Sequence, residues 1–279
     1  MKNNFIQKYF QGWSIKVHEG VCIEDIYRII SKEEGIFSDK SKFIQTASSL
    51  YAKVFCSFLK YNNHLSKIYI KQYLFRSYFD FIKHLFRDSR AKRSFQASLM
   101  LRKFGFNAPQ PLGIMEKKIG FLTTDSIFIA VDVPDSISLG DVLKGFDINK
   151  SEAGLHKKRK IIHDFGSTVG LMHYNGIIHG DTRLGNVLVQ RNEDDYKFWF
   201  IDNERTKRFL KPSLRLFVKN LDQINIRAEV SNTDRLRFIK AYGERQSLTA
   251  EEIRNLSRMV MKRTRRRQEK RAARKVKST

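Results

Sequence analysis

The amino-acid sequence predicts an α+β protein whose first half is rich in β-strands and whose second half is mainly helical. Short β-branched and aromatic runs recur between residues 43 and 131. Residues 157–175 instead carry apolar side chains at helical intervals, from Ile162 to Met172. Further helical stripes follow residue 213. The change in periodicity predicts a sheet-containing part followed by a helical part.

The composition is that of a folded chain with an extreme positive charge. Hydrophobic residues make up 41% of the 279 residues, which argues against a disordered chain. The 53 lysines and arginines against 29 acidic residues give a net charge of +24. Such a charge indicates polyanionic surroundings: nucleic acid, anionic lipid head groups or phosphorylated glycolipid.

The cysteines and the hydropathy pattern predict a cytoplasmic protein. Cys22 and Cys56 lie in apolar settings without metal-ligand spacing, so we interpret both as reduced thiols. No apolar run approaches the ~18 residues of a membrane span. The first residues lack the apolar centre of a signal peptide. We therefore expect the protein to be free in the cytoplasm or adhering to a membrane face.

The elements of the first half follow from the spacing of apolar residues. The predicted strands are residues 13–17, 43–47, 51–58, 67–73, 112–115 and 126–131. The predicted helices are residues 23–30, residues 75–87 and a stripe formed by Ala91, Phe95 and Leu99. Pro109 and Pro111 end the last of these helices and lead into the strand that follows.

The most informative stretch is residues 177–204, which read IIHGDTRLGNVLVQRNEDDYKFWFIDNE. Two β-like runs flank a polar turn within it and predict a hairpin. Asp181 and Asn186 precede the first strand, and Asp202 follows the second. Phosphoryl transfer from a nucleoside triphosphate needs such a set, in which one Asp orients the acceptor hydroxyl and an Asn and a second Asp hold Mg²⁺.

This stretch resembles the catalytic and metal-binding loops of the protein-kinase-like superfamily, in the His-Gly-Asp form of its atypical and small-molecule branches. The whole chain most resembles the lipopolysaccharide kinase family, whose members phosphorylate sugars of the lipopolysaccharide inner core. Residues 89–114 and 232–242 support the resemblance, which spans roughly residues 45–270. It implies a bilobal protein-kinase-like fold, with a small antiparallel-sheet N-lobe (residues 1–131) and a mainly helical C-lobe (residues 132–279).

The resemblance implies a role for each polar residue of the stretch. Asp181 corresponds to the group that orients the acceptor hydroxyl, although an ordinary turn aspartate is the alternative for this residue taken alone. Asn186 and Asp202 correspond to ligands of Mg²⁺. Arg183 either faces the charge of the transferred phosphoryl group or is simply solvated. We interpret His179 as a brace of the loop and not as a catalytic base.

In the N-lobe the resemblance implies contacts with ATP. Lys71 matches the strand lysine that binds the α- and β-phosphates, and the alternative is a solvent-facing lysine on an edge strand. The backbone of Ile129 to Val131 matches the segment that bonds the adenine edge, and the alternative is an ordinary core strand.

Two parts of the superfamily pattern are missing. No glycine lies between Gly35 and Gly105, where a loop that covers the phosphates is expected. The small polar residues that could replace it are Thr46, Ser48 and Ser49. The helix after Lys71 carries no acidic residue near Ser94, where a glutamate partner for the lysine is expected.

The C-terminal segment is strongly basic. Residues 262–279 hold ten lysines and arginines and one acid, Glu269. The segment is either solvated or disordered, or it binds an anionic membrane at about 1 kcal/mol per basic residue, or it binds nucleic acid. We favour the membrane, because the family's substrate is an anionic glycolipid of the cytoplasmic leaflet. Nucleic acid is less favoured because residues 250–279 contain no aromatic side chain.

Together these observations predict an ATP- and Mg²⁺-dependent kinase acting on a hydroxyl of an inner-core sugar, 3-deoxy-manno-octulosonic acid (Kdo) or a heptose. Its partners would be the lipopolysaccharide core or lipid A precursor and the anionic lipids on the inner face of the cytoplasmic membrane. One alternative is a protein or small-metabolite kinase with the same loop. Another is a membrane- or nucleic-acid-binding pseudokinase, because the glycine loop and the helix glutamate are missing.

Overall fold

The computed structural model describes residues 4–38, 43–49, 51–74, 87–120, 122–148, 151–192, 195–225 and 230–276. The strands are β1 (Phe5–Phe10), β2 (Trp13–His18), β3 (Ile44–Ser49), β4 (Ala52–Tyr61), β5 (His64–Tyr73), β6 (Pro111–Ile119), β7 (Leu122–Val131), β8 (Ser136–Ser138), β9 (Ile177–Ile178), β10 (Val187–Asn192), β11 (Asp195–Phe200) and β12 (Lys207–Arg208). The helices are α1 (Ile23–Ile29), α2 (Arg90–Lys103), α3 (Leu139–Ile148), α4 (Glu152–Tyr174), α5 (Leu214–Ile224), α6 (Asn232–Arg245) and α7 (Ala250–Val276). The chain divides into two compact units, residues 1–103 with 108–133 and residues 104–107 with 134–279.

The first unit is a seven-stranded antiparallel sheet in the order β1-β2-β6-β7-β5-β4-β3. Strand β5 explains how the sheet is covered on both faces, because its side chains alternate. Ile68 and Ile70 are buried in the core that includes α1. Tyr73 belongs to the opposite face, where it packs with Ala91 and Phe95 of α2.

The predicted strands of this unit are present, and β4 and β5 extend beyond their predicted ends. They meet at a two-residue turn, Asn62-Asn63, in which both residues have positive φ angles. Such a turn matches the twist of the flanking strands and lets pairing continue through the polar residues at their ends. The helix predicted over 75–87 falls almost entirely on residues 75–86, which lie outside the described ranges. The units divide two residues beyond the predicted boundary at 131/132.

The second unit is built on α4, which packs against α6. Ser151 caps the first turn of α4 by accepting a hydrogen bond from the Gly154 amide. Gly166 and Gly170 allow the two helices to approach closely. A Cβ at Gly166 would lie 2.5 Å from the Phe238 carbonyl oxygen, and a Cβ at Gly170 would lie 2.7 Å from the Tyr242 carbonyl oxygen.

The basic C-terminal segment is helical. Thr249 and Glu252 form a capping box at the start of α7, since the Glu252 amide donates to the Thr249 hydroxyl and the Thr249 amide to the Glu252 carboxylate. The helix then continues through Val276. Within the described residues, no helix combines the length and apolar character needed to cross a membrane.

Candidate functional site

Residues 179–186, here called the His-Gly-Asp loop, connect β9 to β10. The strand before the loop pairs with β12, and the loop closes with a 3₁₀ turn at Leu184–Asn186. Gly180 has a φ of +75°, a conformation that side chains with a Cβ rarely adopt. The loop is therefore held at both ends by strand pairing and bends sharply just before Asp181.

Asp181 is bound by Arg183 through both carboxylate oxygens. Nε of Arg183 donates to Oδ1 at 2.7 Å, and Nη2 donates to Oδ2 at 2.9 Å. The Asp181 side chain is 16% exposed and that of Arg183 59%. Arg183 is thus not simply solvated, and its fork orients the carboxylate. A carboxylate in this pair still has lone pairs to accept a proton or a hydrogen bond from a hydroxyl.

Asn186 is held by the backbone of the same loop. Its Nδ2 donates to the Asp181 carbonyl at 3.0 Å, and its own carbonyl accepts from the Ile201 amide at 3.0 Å. The first bond fixes the carboxamide, and among the described residues its Oδ1 has no hydrogen-bond donor. The second bond extends the β10–β11 ladder by one pair, so Ile201 lies opposite Asn186 and Asp202 is the next residue along the chain.

Asp202 has a left-handed backbone conformation, with φ 63° and ψ 40°. This conformation ends β11 and turns the chain into the 3₁₀ turn Asn203–Arg205. A carboxylate and a carboxamide oxygen are the oxygen ligands that Mg²⁺ prefers. The described residues contain no cluster of three or more His, Cys, Asp or Glu side chains suited to a metal. A Mg²⁺ ion held by Asn186 and Asp202 would therefore take its remaining ligands from phosphate oxygens and water.

His179 braces the two halves of the motif. Its Nε2 lies 3.1 Å from both the Ile201 carbonyl and Oδ1 of Asn203. The Thr206 hydroxyl donates to the backbone carbonyl of His179. Burial lowers the pKa of His179, so the ring is neutral at pH 7. These contacts support a structural role and not that of a base. Glu204, two residues after Asp202, forms an ion pair with Arg205 at 3.7 Å.

Lys71 lies on an interior strand. In β5 it is paired with Val54 on one side and Phe128 on the other, and it is half-buried. The edge-strand alternative is therefore wrong. Its Nζ lies 5.3 Å from the ring centroid of Tyr73. The Tyr73 hydroxyl is hydrogen-bonded at 2.7 Å to Ser94, which occupies the position expected for the helix glutamate.

The segment predicted to bond adenine is largely engaged in the sheet. Ile129 is paired with Ile70 and Gly113, so its backbone lies between two strands. The amide of Val131 donates to the Gln110 carbonyl at 2.9 Å. That bond occupies the Val131 N–H, which therefore cannot donate to adenine. For Val131, the prediction of a bond to the adenine edge now concerns only the carbonyl.

The hydroxyls near the missing glycine loop support the β3–β4 hairpin. Thr46 donates to the Val54 carbonyl at 3.3 Å, across a register shift in the strand pair. Ser49 accepts from the amides of Tyr51 and Ala52 at the turn. The side chain of Ser48 is outside the described part of the chain. Thr46 and Ser49 thus shape the hairpin where a glycine-rich loop was expected.

Comparison with known proteins assigns the chain to a family. A model of the lipopolysaccharide kinase (Kdo/WaaP) family matches residues 36–242, well over half of the chain. The chain belongs to this family.

Two curated relatives match part of the chain. The 3-deoxy-D-manno-octulosonic acid kinase of Pasteurella multocida (strain Pm70) is 27% identical over 124 residues, which cover 42% of this chain and 45% of that protein. The lipopolysaccharide core heptose(I) kinase WaaP of Escherichia coli (strain K12) is 28% identical over 159 residues, which cover 54% and 59%. The chain thus spans about half the length of the curated relatives that it matches.

A solved structure, described as WaaP in complex with acyl carrier protein, has the same fold. It matches with a TM-score of 0.60 and 16% identity, over 81% of this chain and 88% of that chain. The match confirms the predicted α+β, kinase-like fold, with an antiparallel sheet in the first part and a mainly helical second part.

Two features of this member of the Kdo/WaaP family were not predicted from its sequence. Gln223 of α5 hydrogen-bonds to the backbone of the His-Gly-Asp loop on both sides of Asp181. The second unit also contains a partly open apolar cavity of about 300 Å³. Its lining includes Leu143, Phe165, Leu184, Leu221, Phe238 and Val260. Neither feature has a local signal, because each forms between elements far apart in the sequence.

Proposed function

We propose that this protein is an ATP- and Mg²⁺-dependent kinase that phosphorylates a hydroxyl of a lipopolysaccharide inner-core sugar, either Kdo or a heptose. The observation that carries the proposal is the hydrogen bond from the Ile201 amide to the Asn186 carbonyl. It joins the two segments that bear the candidate catalytic and metal-binding residues. Asp181 lies on the first segment, and Asp202 follows the second. Membership of the Kdo/WaaP family supplies the acceptor class.

In this proposal the γ-phosphoryl group of ATP passes to the sugar oxygen, which gives ADP and a phosphomonoester. Asp181 accepts a hydrogen bond from the attacking hydroxyl and takes its proton as the new P–O bond forms. Arg183 holds the carboxylate in that orientation. Asn186 and Asp202 would hold Mg²⁺, which would supply positive charge to the phosphate oxygens. Lys71 binds the phosphates of the nucleotide.

Transfer of labelled phosphate to deacylated core oligosaccharide tests the proposal. We expect Asp181→Asn and Asp202→Asn each to lower kcat by about 100-fold or more. Asp195→Asn is the matched control, because Asp195 is an exposed aspartate of the same hairpin that pairs only with Lys160 of α4 among the described residues. No transfer by the wild type to a Kdo or heptose acceptor, with transfer to a peptide or a small metabolite, would overturn the acceptor assignment.

Nucleotide binding separates a kinase from a pseudokinase. We expect the wild type to bind ATP more tightly with Mg²⁺ than without it, and Asp202→Ala to lose that difference. Absence of Mg²⁺-dependent binding in both proteins would instead favour the pseudokinase.

We also propose that the protein is peripheral on the inner face of the cytoplasmic membrane, bound through the basic end of α7. The described part of this helix carries exposed cationic side chains, among them Lys262, Arg265, Arg266 and Lys270. Anionic lipid head groups attract such a helix electrostatically. Attachment there would bring the site to a lipid-linked sugar, such as a lipid A precursor that carries the core.

The apolar cavity supports a second partner. Because the WaaP structure was solved with acyl carrier protein, we propose that this chain takes up the acyl chain of such a carrier. The cavity is almost wholly apolar, with Asn225, Asn232 and Arg235 among its few polar lining residues. We expect acylated carrier protein, and not the unacylated form, to raise Tm. A Leu143→Gln substitution in the lining should abolish that rise, and equal shifts with both carrier forms would contradict the proposal.

A further inference from the structure

Helix α5 bears three polar side chains that each bind a different part of the second unit. Oδ1 of Asn220 lies 2.9 Å from Nε2 of His173, near the end of α4. Asp222 binds α7. Gln223 binds the His-Gly-Asp loop. A short helix with such separate polar contacts is suited to connect the elements that it binds.

Gln223 holds the backbone on either side of Asp181. Its Nε2 donates to the Gly180 carbonyl at 3.1 Å, and its Oε1 accepts from the Thr182 amide at 2.9 Å. Thr182 is buried, so its amide needs a partner inside the protein. One carboxamide thus fixes both peptide groups that flank Asp181, and their orientation sets where its carboxylate points.

Asp222, the residue before Gln223, is a buried carboxylate whose partners within the described ranges lie on α7. The Thr264 hydroxyl donates to it at 2.9 Å, and Arg263 and Arg267 lie 3.3 and 3.2 Å from its Oδ2. The Asp222 side chain is only 2% exposed. Because a buried carboxylate is costly without compensating charge, the cations of α7 hold this part of α5 in place.

We propose that Gln223 is a positioning residue for Asp181, and that the docking of α7 on Asp222 keeps Gln223 in register with the His-Gly-Asp loop. The basic helix then has a second role besides surface attachment, because two of its arginines pair with Asp222 of α5 and support the catalytic geometry. The proposal rests on the proposed function for Asp181, but the contacts themselves can be measured without turnover.

The first test replaces Gln223 and compares it with a matched glutamine. Gln246 also donates from Nε2 to a backbone carbonyl, that of Gly170, away from the His-Gly-Asp loop. We expect Gln223→Leu to lower kcat by about 10- to 100-fold, as a small misplacement of a catalytic group does, with KM for ATP unchanged. Gln223→Glu should fall between, because it keeps the acceptor for Thr182 and loses the donor to Gly180. Gln246→Leu should keep wild-type kcat.

Amide hydrogen exchange at Thr182 is the readout that does not depend on activity. We expect this amide to be protected in the wild type and to exchange at least about tenfold faster in Gln223→Leu. Unchanged exchange and unchanged kcat would overturn the proposal, and so would equal losses of kcat in the two leucine variants. If the wild type transfers no phosphate, the proposed function fails while exchange still tests the contact.

The second test compares two double variants of α7. One removes two positive charges that contact Asp222, and the other removes two that do not. Arg263→Gln/Arg267→Gln removes the cations on Asp222, and Arg254→Gln/Arg258→Gln removes two exposed arginines elsewhere on the same helix. We expect faster exchange at Thr182 and a lower kcat only in the first double variant. If that variant does not fold, Asp222→Asn is milder, because it removes the buried charge and still accepts from Thr264. Equal effects of both double variants, or wild-type exchange in Asp222→Asn, would contradict a role for α7.

Discussion

The guanidinium of Arg183 binds both carboxylate oxygens of Asp181, at 2.7 and 2.9 Å. The residue proposed to hold the acceptor hydroxyl is therefore itself held by a side chain two positions further along the loop. Lysine would keep the positive charge but cannot supply two parallel donors. The geometry of the pair therefore favours arginine over lysine at position 183, although both side chains carry one positive charge.

We expect Arg183→Lys to lower kcat about tenfold, because loss of one hydrogen bond to a charged group corresponds to about 1.5 kcal/mol. Steady-state kinetics measures it, with the exposed Arg191→Lys on β10 as the control. A wild-type kcat in Arg183→Lys would mean that the fork on Asp181 is not used during turnover.

Gly180 is expected to tolerate no side chain. Its φ is +75°, and a Cβ there would lie 2.6 Å from the Arg205 carbonyl oxygen. Gly180→Ala should destabilise the protein by about 2 kcal/mol or more, which thermal unfolding measures as a lower Tm. Gly185→Ala in the same loop is the control, because a Cβ there meets nothing within 4 Å. Equal Tm values for the two variants would contradict this account.

His173 should make stability depend on pH. It is buried, with Nε2 against Asn220 and Nδ1 against the Tyr242 hydroxyl, and burial lowers its pKa to about 4. The unfolded chain takes up a proton near pH 6.5 and the folded protein does not. Folding stability contributed by this group is therefore complete above pH 6.5 and is lost as the pH falls toward 4.

We expect this group alone to cost about 2 kcal/mol of the free energy of unfolding between pH 7.5 and pH 5. Urea unfolding across that range measures it, with His173→Gln as the comparison. The variant should be less stable at pH 7.5 and lose less on acidification. His179, whose pKa is also lowered by burial, will retain part of the pH dependence in both proteins. An equal fall in the variant and the wild type would rule out His173 as a source.

Lys71 is expected to be needed for nucleotide binding. It is half-buried on an interior strand, and its place in β5 matches that of the phosphate-binding lysine that the family resemblance implies. Lys71→Met should reduce kcat/KM for ATP by about 100-fold. Lys60→Met is the control, because Lys60 is exposed on the neighbouring strand β4. A small effect in Lys71→Met, similar to that of the control, would mean that another group binds the phosphates.

The exposed basic face of α7 should govern binding to anionic vesicles. Replacing Lys262, Arg265, Arg266 and Lys270 by glutamine removes about 1 kcal/mol of attraction for each residue, so affinity should fall about 100-fold or more. Co-sedimentation with phosphatidylglycerol-containing vesicles at two salt concentrations measures it, with neutral vesicles as the control. Equal affinity for neutral vesicles, or no effect of salt, would contradict membrane attachment through this helix.

Much of the fold and of the candidate loop could be predicted because the signals are local. The alternation in β5, the apolar stripe of α4 and the capping box at Thr249 each depend on residues within a few positions of one another. The His-Gly-Asp motif and Asp202 likewise lie on one short hairpin. The hydrogen bonds from Gln223 to the backbone on either side of Asp181 could not be predicted. Gln223 is 43 residues from Gly180 and lies on a helix whose sequence pattern is apolar.

By itself, the sequence determined the order and type of most elements, the excess of positive charge and the residues from which a phosphoryl-transfer site could be built. These follow from backbone propensity, hydrophobic spacing and side-chain chemistry, which act over short stretches of chain. Only the tertiary structure decided that Lys71 lies inside the sheet, that the Val131 amide is already bonded, and that two arginines of the basic helix pair with Asp222. Such outcomes depend on which buried polar groups meet across the fold, because each must find a partner once water is excluded.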